Sequence, residues 1–224
     1  MKNIIQIAGV IDQAEADLLI EAGTDYLGFP LRLPVNKEDL TEEEATLIIK
    51  NIPLPHKGVL ITYLNDADEI IDFVNKLGVT VIQLHGGITK PELIKLKEKM
   101  PTLEVIKSLV IGEYKTEELK QIITELSPWI DAYITDTYDP ATGASGATGK
   151  THDWNISKEL IKLSPKPVIL AGGINHKNVR EAILTVKPAG VDVHTGIEGK
   201  DGRKDPDLVH KFIKEANIAF SLID

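Results

Sequence analysis

Short β-branched or aliphatic runs alternate along this chain with segments of helical spacing. Asn3–Ile7 is the first such run and stops at Ala8-Gly9. Asp12 is then placed to cap a helix that turns Ala14, Leu18, Leu19 and Ala22 inward and is stopped by Gly23. The same alternation predicts strands at Tyr26–Phe29, Lys57–Tyr63, Thr80–Leu84, Leu103–Val110 and Ile130–Thr135. Between them, helices are predicted from Thr41, which has capping-box spacing to Glu44, to Lys50, and over Asp66–Leu77, Pro91–Met100 and Thr116–Leu126. A long loop follows Asp136, then a helix over Asn155–Leu163.

The stretch VILAGGINHKNVREAILTVKPAGVDVHTGIE, Val168 to Glu198, condenses the pattern. Val168-Ile169-Leu170 ends at Ala171-Gly172-Gly173, and Val179, Ala182, Ile183 and Val186 line one helical face. Gly190–Val193 is then a strand that ends at His194-Thr195-Gly196, and Pro206–Ala216 is the closing helix. Eight strand–helix units without a composition break predict a parallel sheet that closes on itself. The expectation is a single-domain (β/α)8 TIM barrel over residues 1–224, with an open doubly wound sheet as the alternative.

Composition narrows the function classes. A net charge of −9 opposes a nucleic-acid-binding surface, and no cysteine exists to form disulfides, thiolate metal sites or a cysteine nucleophile. No apolar run approaches the ~18 residues of a membrane span. The first apolar segment is too short for a signal peptide, so the expected location is the cytoplasm.

Chemistry in a closed barrel sits where the strands end. Two successive strand ends that open into glycines, Gly172-Gly173 and Thr195-Gly196, can turn backbone N–H groups toward one anion, as phosphate sites after strands seven and eight do. A purely structural tight turn is the alternative. Asp136 follows an apolar strand and precedes a loop rich in threonine and glycine, a setting for proton transfer; loop bracing is its structural alternative. His85 is a proton carrier, a substrate partner or a satisfied histidine beside its glycine turn. Asp192 and His194 share a strand face, which places both toward the barrel interior or toward neighbouring loops. By residue type His85, Asp136, Asp192 and His194 suit a metal, but none has a tight ligand spacing. The TGKT of the loop after strand six lacks the first glycine of a P-loop, since Ala144 stands there.

With these residues in place, the chain resembles the phosphoribosylanthranilate isomerase family almost end to end. The motifs are AEADLLIEAGTDYLGF, VIQLHG, EVIKSL, IDAYITD followed by GATGKTHDW, VILAGGINHKNV, and GVDVHTGIE with KDP beyond. The resemblance implies a (β/α)8 barrel, monomeric or homodimeric, with no metal or organic cofactor and a small phosphorylated sugar as substrate. It implies an Amadori rearrangement of a phosphoribosyl amine, in tryptophan biosynthesis. Asp136 would be the general acid, the backbone of Gly172, Gly173, Thr195 and Gly196 would hold the phosphate, and His85 would sit in the substrate pocket. Three positions depart from the family pattern. Its strand-one cysteine base is Ala8, its paired serines after strand eight are His194-Thr195, and its arginine loop after strand two reads FPLRLPVNK, with Arg32 early. Asp12 or His85 could replace the missing base. Two other readings stay open: a paralogue for a different phosphosugar, with Asp192 or His194 as base and Arg32 selecting the non-phosphate end, and a non-catalytic phospholigand-binding barrel.

Overall fold

The computed structural model describes residues 2–34, 39–139, 144–145 and 151–223. Eight parallel strands form the barrel: β1 (Ile4–Ala8), β2 (Tyr26–Pro30), β3 (Lys57–Thr62), β4 (Val81–Leu84), β5 (Glu104–Ile111), β6 (Ala132–Asp139), β7 (Val168–Leu170) and β8 (Gly190–Val193). Each pairs with the next, and β8 returns to β1 with Gln6 opposite Asp192, so the sheet is closed. The expected (β/α)8 architecture is therefore the observed one.

Among the described residues eight α-helices surround it: α1 (Gln13–Ala22), α2 (Glu42–Lys50), α3 (Ala67–Leu77), α4 (Lys90–Lys99), α5 (Thr116–Leu126), α6 (Trp154–Leu163), α7 (Val179–Val186) and α8 (Pro206–Ile223). Their starts are written in capping residues. Asp12 accepts from Glu15 N at 2.9 Å and Asp66 from Glu69 N at 2.9 Å, while Thr41 and Glu44 close a reciprocal capping box. Helix α8 continues past the expected Ala216 to Ile223, because Ala219 and Phe220 remain on the buried face. None of the described helices is long and apolar enough to cross a membrane.

Alternation along the strands sorts side chains into two cores. Ile5, Ile7, Leu60, Ile82, Val191 and Val193 face the helices. Ala8, Val59, Ile61, Val81, Ile106, Ile134 and Ile169 fill the barrel. Near the amino-terminal ends of the strands the interior is plugged by Lys57, whose Nζ donates to Glu104 at 2.7 Å, with the Tyr26 hydroxyl 3.3 Å from the same carboxylate. That leaves the carboxyl-end mouth for chemistry.

Candidate active site

Towards the mouth, Gln6, Gln83, Asp136 and Asp192 are interior strand positions that carry buried polar groups where aliphatic ones would pack. Asp136 lies within β6 rather than at its end. Sequence spacing stopped this strand at Thr135, but Tyr138–Asp139 go on to pair antiparallel with Ala144–Ser145. Its carboxylate accepts from Thr137 N at 2.8 Å. Burial pushes the Asp136 carboxyl up to about 7, against that backbone bond, and the charge of Asp192 adds to the rise. A carboxyl group that still holds its proton near neutrality is suited to general-acid work.

His85 stands beside it, with Nδ1 3.9 Å from Asp136 Oδ2. Its protonation follows from its other neighbours. Gln83 Oε1 accepts from Gln6 Nε2 at 2.7 Å, so the Gln83 amide nitrogen faces His85 Nε2, also at 2.7 Å. Nε2 is therefore the acceptor and the proton sits on Nδ1, which is buried without a hydrogen-bond partner among the described residues. Burial, with the nearby Lys107 charge, pushes the imidazole down to about 3, so the neutral form is the one present. Lys107 is itself buried; its ammonium donates to Leu84 O at 3.2 Å and Ser108 O at 2.9 Å, and burial lowers it to about 8.

Asp192 closes the interior chain on the far side. Burial raises its carboxyl to about 7, opposed by the Gln6 amide and the Lys204 charge. Its Oδ1 is buried with no hydrogen-bond partner among the described residues, and so is Gln6 Oε1.

The two glycine turns touch. A Cβ on Gly196 would strike the carbonyl oxygen of Ile174, in the turn after β7, and would lie 3.0 Å from Asn175 Cβ. Gly172 and Gly173 take φ of 93° and 64°, a region that glycine enters without cost. Asn178 fixes this turn by donating to Gly173 O at 3.0 Å and accepting from Asn175 N at 2.7 Å. Beneath it, His152 bridges Thr137 Oγ1 at 2.9 Å and Ser157 Oγ at 2.6 Å. The strand that bears Asp136 is thus tied to the turn that bears Gly172.

The remaining candidates are spread wider. His194 lays its ring against Gly9, with Nε2 3.5 Å from Glu198 Oε1, and burial pushes it down to about 3. Arg32 stacks on the Phe73 ring at 3.8 Å and pairs with Glu42 at 2.8 Å, so its guanidinium engages α2 and α3. Asp12 caps α1 and pairs with Arg203 at 2.6 Å, which holds its carboxyl below the usual range despite partial burial. Among the described residues no group of three or more His, Asp or Glu is arranged to hold a metal ion. Residues 35–38 and most of the TGKT-bearing loop lie outside the described residues. Gln83, Lys107 and His152 were not singled out from the sequence. The available signal was a polar residue inside an aliphatic strand, VIQL and VIKSL, and a histidine flanking the TGKT loop.

The fold and this cluster define a class: a (β/α)8-barrel enzyme built for proton transfer at the carboxyl ends of its strands. The comparisons with known proteins carry the assignment further. The sequence model of the N-(5'-phosphoribosyl)anthranilate isomerase family matches residues 5–215, and the chain belongs to this family. It is 35% identical over 218 residues to N-(5'-phosphoribosyl)anthranilate isomerase 2 of Methanosarcina mazei, covering 96% of this chain and 95% of that one. The isomerase of Haloferax volcanii is 32% identical over 222 residues, 98% of this chain and 96% of its own. Among solved structures, phosphoribosyl anthranilate isomerase from Thermotoga maritima superposes with a TM-score of 0.79 at 28% identity, covering 96% of this chain and 98% of that one. A phosphoribosyl anthranilate isomerase solved in complex with reduced 1-(o-carboxyphenylamino)-1-deoxyribulose 5-phosphate gives the same TM-score at 25% identity, with the same coverage.

Proposed function

We propose that this chain isomerises N-(5'-phosphoribosyl)anthranilate by an Amadori rearrangement, as an aldose–ketose isomerase of tryptophan biosynthesis. The observation that carries this reading is the buried, proton-holding Asp136 carboxyl on the strand braced against the Gly172 turn. In the reaction, Asp136 gives its proton to the furanose ring oxygen as the C1–O bond breaks, and the amine nitrogen supplies the electron pair that forms the iminium. Loss of the C2 proton then yields an enolamine, which tautomerises to the amino-deoxyribulose phosphate.

The contact between the Gly196 turn and Ile174-Asn175 supports a shared cradle in which backbone groups of Gly172, Gly173, Thr195 and Gly196 hold the 5'-phosphate. His85, neutral and with its proton directed at Asp136, supports a role as donor to the opening sugar. His194 borders the cradle. Arg32, engaged with Phe73 and Glu42, serves the non-phosphate end by fixing the start of the loop after β2. The reading takes residues 1–224 as one domain, working in the cytoplasm as monomer or homodimer without a cofactor; that the Thermotoga maritima relative is described as dimeric supports the latter option. The net charge of −9 supports a small-molecule rather than a nucleic-acid partner.

The test is turnover of phosphoribosylanthranilate, followed by loss of its fluorescence. Asp136→Asn is expected to lower kcat by ~10²–10⁴ while leaving inorganic phosphate binding intact. Wild-type protein without turnover above background would refute the assignment.

A further inference from the structure

The rearrangement needs a group to remove the C2 proton, and Ala8, at the carboxyl end of β1, has only a methyl to offer. We infer that Asp192 is the catalytic base, acting from the opposite side of β7 to Asp136. The inference rests on the isomerase reading and deepens it.

The topology supplies the first argument. β6 and β8 both pair with β7, so Asp136 and Asp192 flank the strand that leads into the Gly172–Gly173 turn. Asp192 is also three residues before Thr195 on the strand that leads into the second turn. A phosphosugar anchored by both turns lies over β7 with one carboxyl group on each side of it. In register, Asp192 is level with Gln6, one interior step below Ala8.

The second argument is an orphan atom. Among the described residues Asp192 Oδ1 is buried with no partner, a costly condition. With no partner among the described residues, that carboxylate oxygen keeps a lone pair for a proton from carbon. The third is the line of side chains that joins the two carboxyl groups: Gln6 beside Asp192, then Gln83, His85 and Asp136. The charge of Asp192 favours the protonated form of Asp136, which assigns one proton to the acid and the open lone pair to the base.

His194 is the competing base. Its ring lies against Gly9, and Nε2 faces the Glu198 carboxylate, which Lys204 also binds at 2.8 Å, so Nε2 carries the ring proton and the lone pair is on Nδ1; the His194→Asn variant below separates the two candidates.

In the step proposed, Asp192 Oδ1 takes the C2 proton, the C–H electron pair becomes the C1–C2 double bond, and the iminium nitrogen recovers its lone pair. No oxidant or second substrate is needed.

The experiment compares wild type, Asp192→Asn, Asp192→Ala and His194→Asn for kcat, KM, formate rescue and affinity for reduced 1-(o-carboxyphenylamino)-1-deoxyribulose 5-phosphate. Binding of inorganic phosphate first verifies that each variant is folded. The expected result is a kcat loss of ~10²–10⁴ in Asp192→Asn with analogue affinity kept within a few-fold, and partial recovery of Asp192→Ala by formate. Should Asp192→Asn not fold, the formate response of Asp192→Ala decides alone. Wild-type turnover with Asp192→Asn within about fivefold would overturn the base assignment and leave the isomerase standing. A raised KM at unchanged kcat would also overturn it, making Asp192 a substrate-holding group, as would loss of kcat only in His194→Asn. Absence of wild-type turnover would remove both readings together.

Discussion

At the scale of single residues, the site depends on carboxyl groups in a poor solvent for charge. Asp136 is raised from 3.8 to about 7 chiefly by burial, so the folded protein binds a proton there that the unfolded chain releases. The associated stability is fully present below pH ~4 and is lost as pH rises through about 7. Asp136→Asn is therefore expected to melt above wild type at pH 8 and to converge with it near pH 4, a difference on the order of a few kcal/mol at the alkaline end. Equal melting shifts at both pH values would mean that the carboxyl is not proton-holding. Activity should follow a bell with its top near neutrality. It falls at alkaline pH as Asp136 loses the proton it must give, and at acid pH as Asp192, also raised to about 7, ceases to accept one. A plateau from pH 5 to 9 in kcat/KM would contradict that assignment.

At the scale of elements, strand–turn–helix units present the chemistry, and the contacts between turns matter as much as the turns. Gly196→Ala places a methyl against the Ile174 carbonyl, a backbone atom that can yield only by moving the turn. The expected outcome is a destabilisation of ~1–3 kcal/mol and inorganic phosphate affinity weakened at least tenfold, both measurable by calorimetry. His152→Ala cuts the link between Thr137 on β6 and Ser157 on α6. It is expected to lower kcat more than it raises KM, because Asp136 is the neighbour of Thr137. The helix caps and the interior/exterior alternation were legible in the sequence, since Asp12, Thr41 and Asp66 are local signals and period two needs only the chain itself. The extension of β6 past Asp136 was not legible, because it rests on pairing of Thr137 with Ile111 and of Tyr138–Asp139 with Ala144–Ser145, across a loop.

At the scale of the whole molecule, the barrel must join its last unit to its first. The seam is sealed by charges as well as by β1–β8 pairing. The buried Glu15 on α1 accepts from Ile11 N at 3.1 Å and Lys204 N at 2.8 Å, while Lys204 Nζ reaches Glu198 at 2.8 Å. The Lys204 side chain is only 1% exposed, so Lys204→Met, which strands Glu198, is expected to cost about 3 kcal/mol. Arg203→Ala, which removes a pair exposed at both ends, is expected to cost far less. Comparable losses in chemical denaturation would show that burial does not separate these two pairs.

The count and order of the strand–helix units, the closed barrel they imply and the two glycine turns are legible in the chain alone, as is Asp136, although as the residue after its strand rather than one within it. These are carried by local periodicity, by turn and cap residues, and by motifs contiguous in the chain. Only the tertiary structure decided which of the scattered polar residues meet. The line Asp192–Gln6–Gln83–His85–Asp136 draws on four strands, and nothing in the spacing of Gln6 and Gln83 announces the 2.7 Å contact between them. The tautomer of His85, the turning of Arg32 onto Phe73 and the orphan oxygen of Asp192 follow from that assembly. The physical reason is that periodicity assigns a residue to a face, whereas hydrogen-bond partners and desolvation are properties of the neighbours that closure brings to that face.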